Sequence, residues 1–278
     1  MRYSSGMTAW QQLTAKHSKP VIGMVHLQAL PGAPGHGGDL REVIDAAVRD
    51  AEALVRGGVS GVMVENFGDV PFFRGRVPAE TVAAATAVAQ RVRDAMDAAG
   101  GDDTPIGINM LRNDVRSALA VAHAVGAAFV RCNVLVGAYV TDQGVIEGEA
   151  AEVLRYRQAL GAVDVAVWAD VRVKHAAPLA ERPLEVEAEE LVARASAEAL
   201  IVSGEGTGKP TDTNRLQEAK RGAGEVPVLV GSGATAETLP ALSAADGWIV
   251  GTHFKDGGDV AAPVDPARVA AFVEAAGA

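Results

Sequence analysis

A single cysteine, Cys132, occurs in 278 residues, so no internal disulfide is available and a reducing, cytoplasmic compartment is expected. Aromatic residues make up only 4% of the chain, so valine, alanine, leucine and isoleucine must fill the core. Lysine is scarce as well, supplying six of the 25 basic residues. Against 35 acidic residues this leaves a net charge of −10, which argues against a general nucleic-acid or anionic-membrane surface. A halophilic origin and GC-rich coding both produce such a composition, and the composition does not separate them. No run approaches eighteen apolar residues, so no membrane span is expected. Residues 1–19 are a polar extension without a signal-peptide apolar region. Motifs are missing too. No GxGxxG follows the first apolar run, and there is no Walker A spacing, no GxSxG elbow and no HxH, HxxxH or ExxH pattern. Dinucleotide binding and acyl transfer are therefore disfavoured, and neither a cofactor nor a metal is expected.

What is present centres on Pro227–Lys255, PVLVGSGATAETLPALSAADGWIVGTHFK. Two short apolar runs, Pro227–Val230 and Gly247–Val250, each lead into glycine: Gly231-Ser232-Gly233 and Gly251-Thr252. Between them Thr235–Leu242 reads as a short helix capped by Thr235. Paired glycine turns after the last two strands of an eightfold β/α barrel are a phosphate-binding arrangement, because unpaired backbone N–H groups point at the anion.

The rest of the chain repeats one pattern. Strands are expected at 21–27, 61–64, 105–108, 128–134, 165–171 and 199–202, then at the two runs above. Helices are expected at 39–56, 78–99, 114–125, 148–160, 186–197 and 212–221, with a last one from Asp265. Residues 135–147 read as a long loop. Eight strands alternating with eight helices, with no linker, predict parallel strands joined by right-handed crossovers. The length fits a single closed (β/α)8 TIM barrel spanning 1–278 better than an open sheet.

In such a barrel the reactive groups stand at the carboxyl ends of the strands. Those ends supply His26, Glu65, Asn66, Asn109, Arg131, Asn133, Asp170 and Ser203, besides the glycine turns. Arg131 and Asn133 share a face by strand alternation and suit a carboxylate, phosphate or sugar hydroxyl; a structural ion pair with Asp170 or Glu65 is the alternative. Asp170, Arg172 and Lys174 share a face if the strand continues through Val173. Lys174 has two roles open to it, substrate binding and, with a lowered pKa and a carbonyl substrate, Schiff-base formation. Ser203–Lys209 is a second glycine-rich segment, readable as an anion loop or a lid.

The motifs GMVHLQALPGAPG, VENFGDVPF, GINMLRND, FVRCNVLVGAYVTDQG, ADVRVKHA, SGEGTGKP and VGSGAT resemble the BtpA family, whose members carry photosystem I biogenesis or nucleosidase labels. The resemblance runs from about Val21 to Lys255 and implies a barrel like those that bind ribulose phosphates. It implies a ribosyl or sugar-phosphate ligand and names no settled reaction. The leading expectation is cleavage of a nucleoside N-glycosidic bond. In it Glu65, Asp170 and His26 are catalytic, and Asn66, Asn109, Arg131, Asn133, Lys174 and Ser203 bind substrate. Gly231, Ser232, Gly233, Gly251 and Thr252 then hold phosphate, inorganic phosphate being a candidate co-substrate. A sugar-phosphate isomerase or aldolase-type barrel and a non-enzymatic photosystem I assembly factor are the alternatives. A homo-oligomer is expected.

Overall fold

The computed structural model describes residues 7–15, 17–204 and 211–277. In chain order the strands are β1 (Val21–His26), β2 (Gly61–Glu65), β3 (Ile106–Asn109), β4 (Phe129–Cys132), β5 (Ala138–Thr141), β6 (Gly144–Glu147), β7 (Ala166–Val171), β8 (Ala176–Pro178), β9 (Ala199–Val202), β10 (Val228–Val230) and β11 (Gly247–Val250). Eight of them pair in parallel and close a barrel in the order β1-β11-β10-β9-β7-β4-β3-β2. The other three form a small antiparallel sheet, β6-β5-β8. The helices are α1 (Ala9–Thr14), α2 (Leu40–Arg56), α3 (Ala79–Ala98), α4 (Val115–Val125), α5 (Ala150–Leu160), α6 (Leu184–Ala193), α7 (Thr213–Ala223) and α8 (Pro266–Ala276). None of the described helices is long and apolar enough to cross a membrane.

Barrel strands are covered on both faces, which is why they read as continuous apolar runs. Alternation then sorts their side chains. Val21, Val25, Val62, Val64, Ile108, Val130, Val167 and Val228 point outward into the layer shared with the helices. Ile22, Met24, Met63, Phe129, Trp168, Ile201, Leu229 and Ile249 point inward and pack on one another. Phe129 and Trp168 stack with centroids 3.9 Å apart, and a Cβ at Gly107 would lie 2.1 Å from the Phe129 ring. Glycine is therefore the residue that lets this aromatic layer close.

The helices follow from local rules. In α2, Val43, Ala47, Ala51 and Leu54 recur on one buried face, Asp39 caps the start by accepting from the Arg41 amide, and Gly57 ends it. In α3 the buried face is mostly alanine and valine, which lets a twenty-residue helix lie close to the strands. Residues 9–14 of the polar extension form α1, opened by a reciprocal Thr8–Gln11 capping box. Its Ala9 and Leu13 join the inward-facing cluster, so α1 closes the end of the barrel opposite the strand carboxyl termini.

Three expectations are corrected. Thr235–Leu242 is a succession of turns and not a helix. Pro240 lacks the amide that a helix needs there, and Thr238 Oγ1 accepts from the Thr235 amide, the reverse of the expected cap. The loop 135–147 holds the β5–β6 hairpin, which buries Tyr139 and Ile146 against Val134 and Val173. Finally β7 stops at Val171, because Arg172 takes a φ of 57°. Strand alternation fails there, so Asp170, Arg172 and Lys174 do not share a face. Arg172 instead pairs with Glu187 at 2.9 Å.

Candidate functional site

Two residues beyond the inward apolar layer, the same rows turn polar: His26 after Met24, Glu65 after Met63, Arg131 after Phe129 and Asp170 after Trp168. Registration places His26 beside Glu65, Glu65 beside Asn109, and Asn109 beside Arg131. Five adjacent strands, β1, β2, β3, β4 and β7, thus carry one polar tier around the carboxyl end of the barrel.

Half of that tier is an internal network. Arg131 donates to Asp170 twice, Nε to Oδ2 at 2.9 Å and Nη2 to Oδ1 at 2.7 Å, with side chains 3% and 0% exposed. Asn133 Nδ2 donates to the same Oδ2 at 2.8 Å, and Ser203 Oγ accepts from Arg131 Nη2 at 3.5 Å. Both Asp170 oxygens are therefore committed. This is the structural ion pair raised as the alternative, and it aims Arg131 while leaving Asp170 off the cavity wall.

Above the tier lies a cavity of about 230 Å³. Of the residues read from the sequence, His26, Glu65, Arg131, Lys174, Gly231, Ser232, Gly233, Gly251 and Thr252 line it. Asn66, Asn109, Asn133, Asp170 and Ser203 do not. Asn66 is turned into the neighbouring loops, where its Oδ1 accepts from the Leu111 amide at 2.6 Å and its Nδ2 donates to Asp69 at 3.0 Å. Asn109 holds Glu65, donating to Oε2 at 2.5 Å. The other Glu65 oxygen, Oε1, has His26 Nε2 at 3.8 Å and faces the cavity without a hydrogen bond from the described residues.

The two glycine turns converge on one side of this cavity. A Cβ at Gly231 would lie 2.4 Å from Ile201 and 2.7 Å from Ser203 Oγ, and one at Gly251 would lie 2.6 Å from His26 Cε1. Glycine is required at both places so that the turns can settle onto the polar tier. The amides of Ser232, Gly233, Ala234, Thr252 and His253 donate to no acceptor among the described residues. Unpaired N–H groups grouped this way form an anion-binding concavity.

Among the lining residues that sequence reasoning missed are Phe67, His253 and Arg268. Phe67 lies against His26 with centroids 4.7 Å apart. Arg268, in the first turn of α8, donates through Nε to the His253 carbonyl at 2.7 Å. A cation in the first turn of a helix opposes the macrodipole, and that is the signal by which it could have been found. The segment 205–209 of the second glycine-rich stretch lies outside the described residues. Among those described, no three His, Cys, Asp or Glu side chains converge as metal ligands would.

Burial dominates the electrostatics. It pushes the His26 pKa down to about 4, Glu65 pulling it upward and Lys255 and Lys174 adding to the depression. His26 is therefore neutral at pH 7. Burial, then the nearby Arg131 charge, lowers the Lys174 pKa. A histidine depressed from 6.5 to about 4 contributes stability that is whole above the unfolded value and is lost as pH falls through the window between the two. Stability should drop by about 2 kcal/mol from this group between pH 7.5 and 5, and His26→Asn should flatten that slope in urea titrations. An unchanged slope would mean that burial does not move the His26 pKa away from its unfolded value.

Fold and rim together define a β/α-barrel protein whose cavity pairs an amide-lined turn cradle with an acid and several cations. The BtpA family model matches residues 17–278, and the chain belongs to the BtpA family. It is 45% identical to the photosystem I biogenesis protein BtpA of Synechocystis over 94% of this chain and 89% of that one. A Thermococcus kodakarensis protein is also 45% identical, over 93% and 95% of the two chains. A mitochondrial protein of Caenorhabditis elegans is 31% identical, over 92% and 93%. Among solved structures, the phosphoribosyl anthranilate isomerase of Thermus thermophilus superposes with a TM-score of 0.52 at 15% identity, over 92% of this chain and 97% of that one. A dihydrodipicolinate synthase superposes at 0.54 and 15%, over 92% and 74%. These two carry different chemistries, so the likeness establishes the barrel alone.

Proposed function

We propose that the chain is an enzyme that binds a phosphorylated sugar-like molecule and moves a proton at a carbon next to its carbonyl, as a sugar-phosphate isomerase does. One observation carries this. The cradle of five uncommitted amides and Arg268 opens onto the same cavity as the free oxygen of Glu65. A phosphate in the cradle anchors the ligand, and Glu65 Oε1 takes and returns the proton. Neutral His26 donates or accepts a hydrogen bond beside it without adding charge. Lys174 and Arg131 face the negative charge that builds on the substrate oxygen.

The charge on the walls decides between this and nucleoside cleavage. Breaking an N-glycosidic bond builds positive charge on the ribose, which Lys174 and Arg268 oppose. Proton abstraction builds negative charge, which they favour. Asp170, assigned to the cationic transition state from the sequence, is neutralised by Arg131. A purely structural assembly factor, the other alternative, gives no account of the lysine and amides around one cavity that have no partner among the described residues.

A crystal soaked in phosphate tests the anchor. The anion is expected between Gly231–Gly233 and Gly251–Thr252, contacted mainly by backbone N–H, and Arg268→Ala should weaken ribose 5-phosphate binding about tenfold or more in calorimetry. Turns empty of anion, or an Arg268→Ala protein that binds as well as the parent, would remove the cradle and the proposal with it.

A further inference from the structure

Lys174 stands on the cavity wall with no described partner. No carboxylate of the described residues lies within ion-pairing distance of its ammonium, and it makes no hydrogen bond to them. The candidates are engaged elsewhere. Asp170 gives both oxygens to Arg131 and Asn133, and Glu65 gives Oε2 to Asn109. The charges that act on Lys174 are Arg131 and Arg112 against Glu65 and Asp170, two of each sign. Arg112 is fixed on this turn by donating to the Lys174 carbonyl at 2.6 Å. Arg131 spends Nε and Nη2 inside the network, which leaves Nη1 as the edge free to serve the cavity.

The position of this charge matters. In the barrel order, β4 with Arg131 is four strands from β11 and three from β10, but the guanidinium extends towards the cradle, with Nη2 3.3 Å from where a Gly231 Cβ would stand. The lysine follows β7, the neighbour of β4. The cradle's amides and Arg268 suffice for one phosphate, whereas the Lys174 amine, carried on the turn after β7 and not on the cradle, is a further charge that calls for a second anion. The Lys174 amine and the Arg131 guanidinium line the same cavity, and two nitrogen donors there match the two oxygens of a carboxylate.

We infer that the substrate is a phosphorylated sugar acid: a phosphate monoester at one end, held by the turns after β10 and β11, and a carboxylate at the other, held by Lys174 and Arg131. The inference rests on the proposed phosphate anchor. It also fits the proton transfer, because a carbanion formed beside a carboxylate spreads its charge onto oxygens that these cations already hold. Burial lowers the pKa of the lysine, and a carboxylate set against it compensates.

Matched open-chain pairs test this by calorimetry: 6-phosphogluconate against sorbitol 6-phosphate, and 3-phosphoglycerate against glycerol 3-phosphate. Each pair differs only in a carboxylate replacing a hydroxymethyl group. In the parent protein the acid of at least one pair is expected to bind tenfold or more tightly than its alcohol. Lys174→Met should bring the two within about twofold, weakening the acid far more than the alcohol. Lys174→Arg should keep much of the preference, since it retains the charge but cannot form a Schiff base. If alcohol and acid bind equally well, the carboxylate site is overturned and the phosphate anchor stands. If no member of either pair binds, the anchor itself falls, and this inference with it. A preference that survives Lys174→Met would place the carboxylate elsewhere and likewise overturn the assignment.

Discussion

Replacing Asp170 by asparagine is expected to cost about 3–5 kcal/mol of stability, a loss on the order of 10 °C in melting temperature. The reason is what it leaves behind. Arg131 is 3% exposed and its charge is met by a bidentate contact to a carboxylate that is wholly buried. An amide keeps the shape but supplies one oxygen and no charge, so a buried guanidinium is left uncompensated. Asn133→Ala removes only one donor from the same carboxylate and should cost about 1 kcal/mol. The double replacement Arg131→Met with Asp170→Leu should recover most of the loss, because removing both charges also removes their desolvation penalty. Urea melts of the three proteins check this. If Asp170→Asn melts like the parent, the Arg131–Asp170 pair is not what holds the tier together, and Asp170 returns as a candidate base.

The barrel was legible because its physics is local. Strands covered on both faces have no polar positions until their ends, so each run stood out, and Asp39 and Gly57 marked the boundaries of α2. The set of polar strand ends was legible for the same reason. What each polar end touches was not. Asp170 and Glu65 occupy equivalent places in their strands, yet one is consumed by Arg131 on the adjacent β4 and the other keeps an oxygen free. That difference depends on which strands are neighbours and how far a side chain reaches across them, and a linear pattern carries neither. The β5–β6 hairpin was hidden because four-residue strands between glycines look like loop. Lys174 was placed on the right rim for a wrong reason, since it reaches the cavity from a turn that Arg172 begins with positive φ. Arg268 was overlooked because the strand-end rule does not look at the last helix.

The second large effect is kinetic. Glu65→Gln should leave the fold and phosphate binding intact and slow proton transfer about 10³-fold, roughly 4 kcal/mol of barrier. The amide keeps the volume, and its oxygen can still accept from Asn109, so melting should shift by no more than about 1 kcal/mol. The cradle belongs to the loops after β10 and β11, apart from β2, so affinity for ribose 5-phosphate should hold within a few-fold. The measurement is exchange of carbon-bound hydrogen for deuterium in D2O, followed by proton NMR on a panel of phosphorylated sugars and sugar acids. A stable variant that binds but no longer exchanges identifies Glu65 as the group that moves the proton. Asn109→Ala separates this from a positioning effect: it frees the Glu65 carboxylate without removing it, so exchange should fall less than with Glu65→Gln. Equal losses would mean that the contact to Asn109 matters and the base lies elsewhere. If the parent exchanges no hydrogen on any member of the panel but releases free base from a nucleoside, proton transfer is excluded. Glu65 would then be the carboxylate facing a ribosyl cation, acting against the positive wall opposite it.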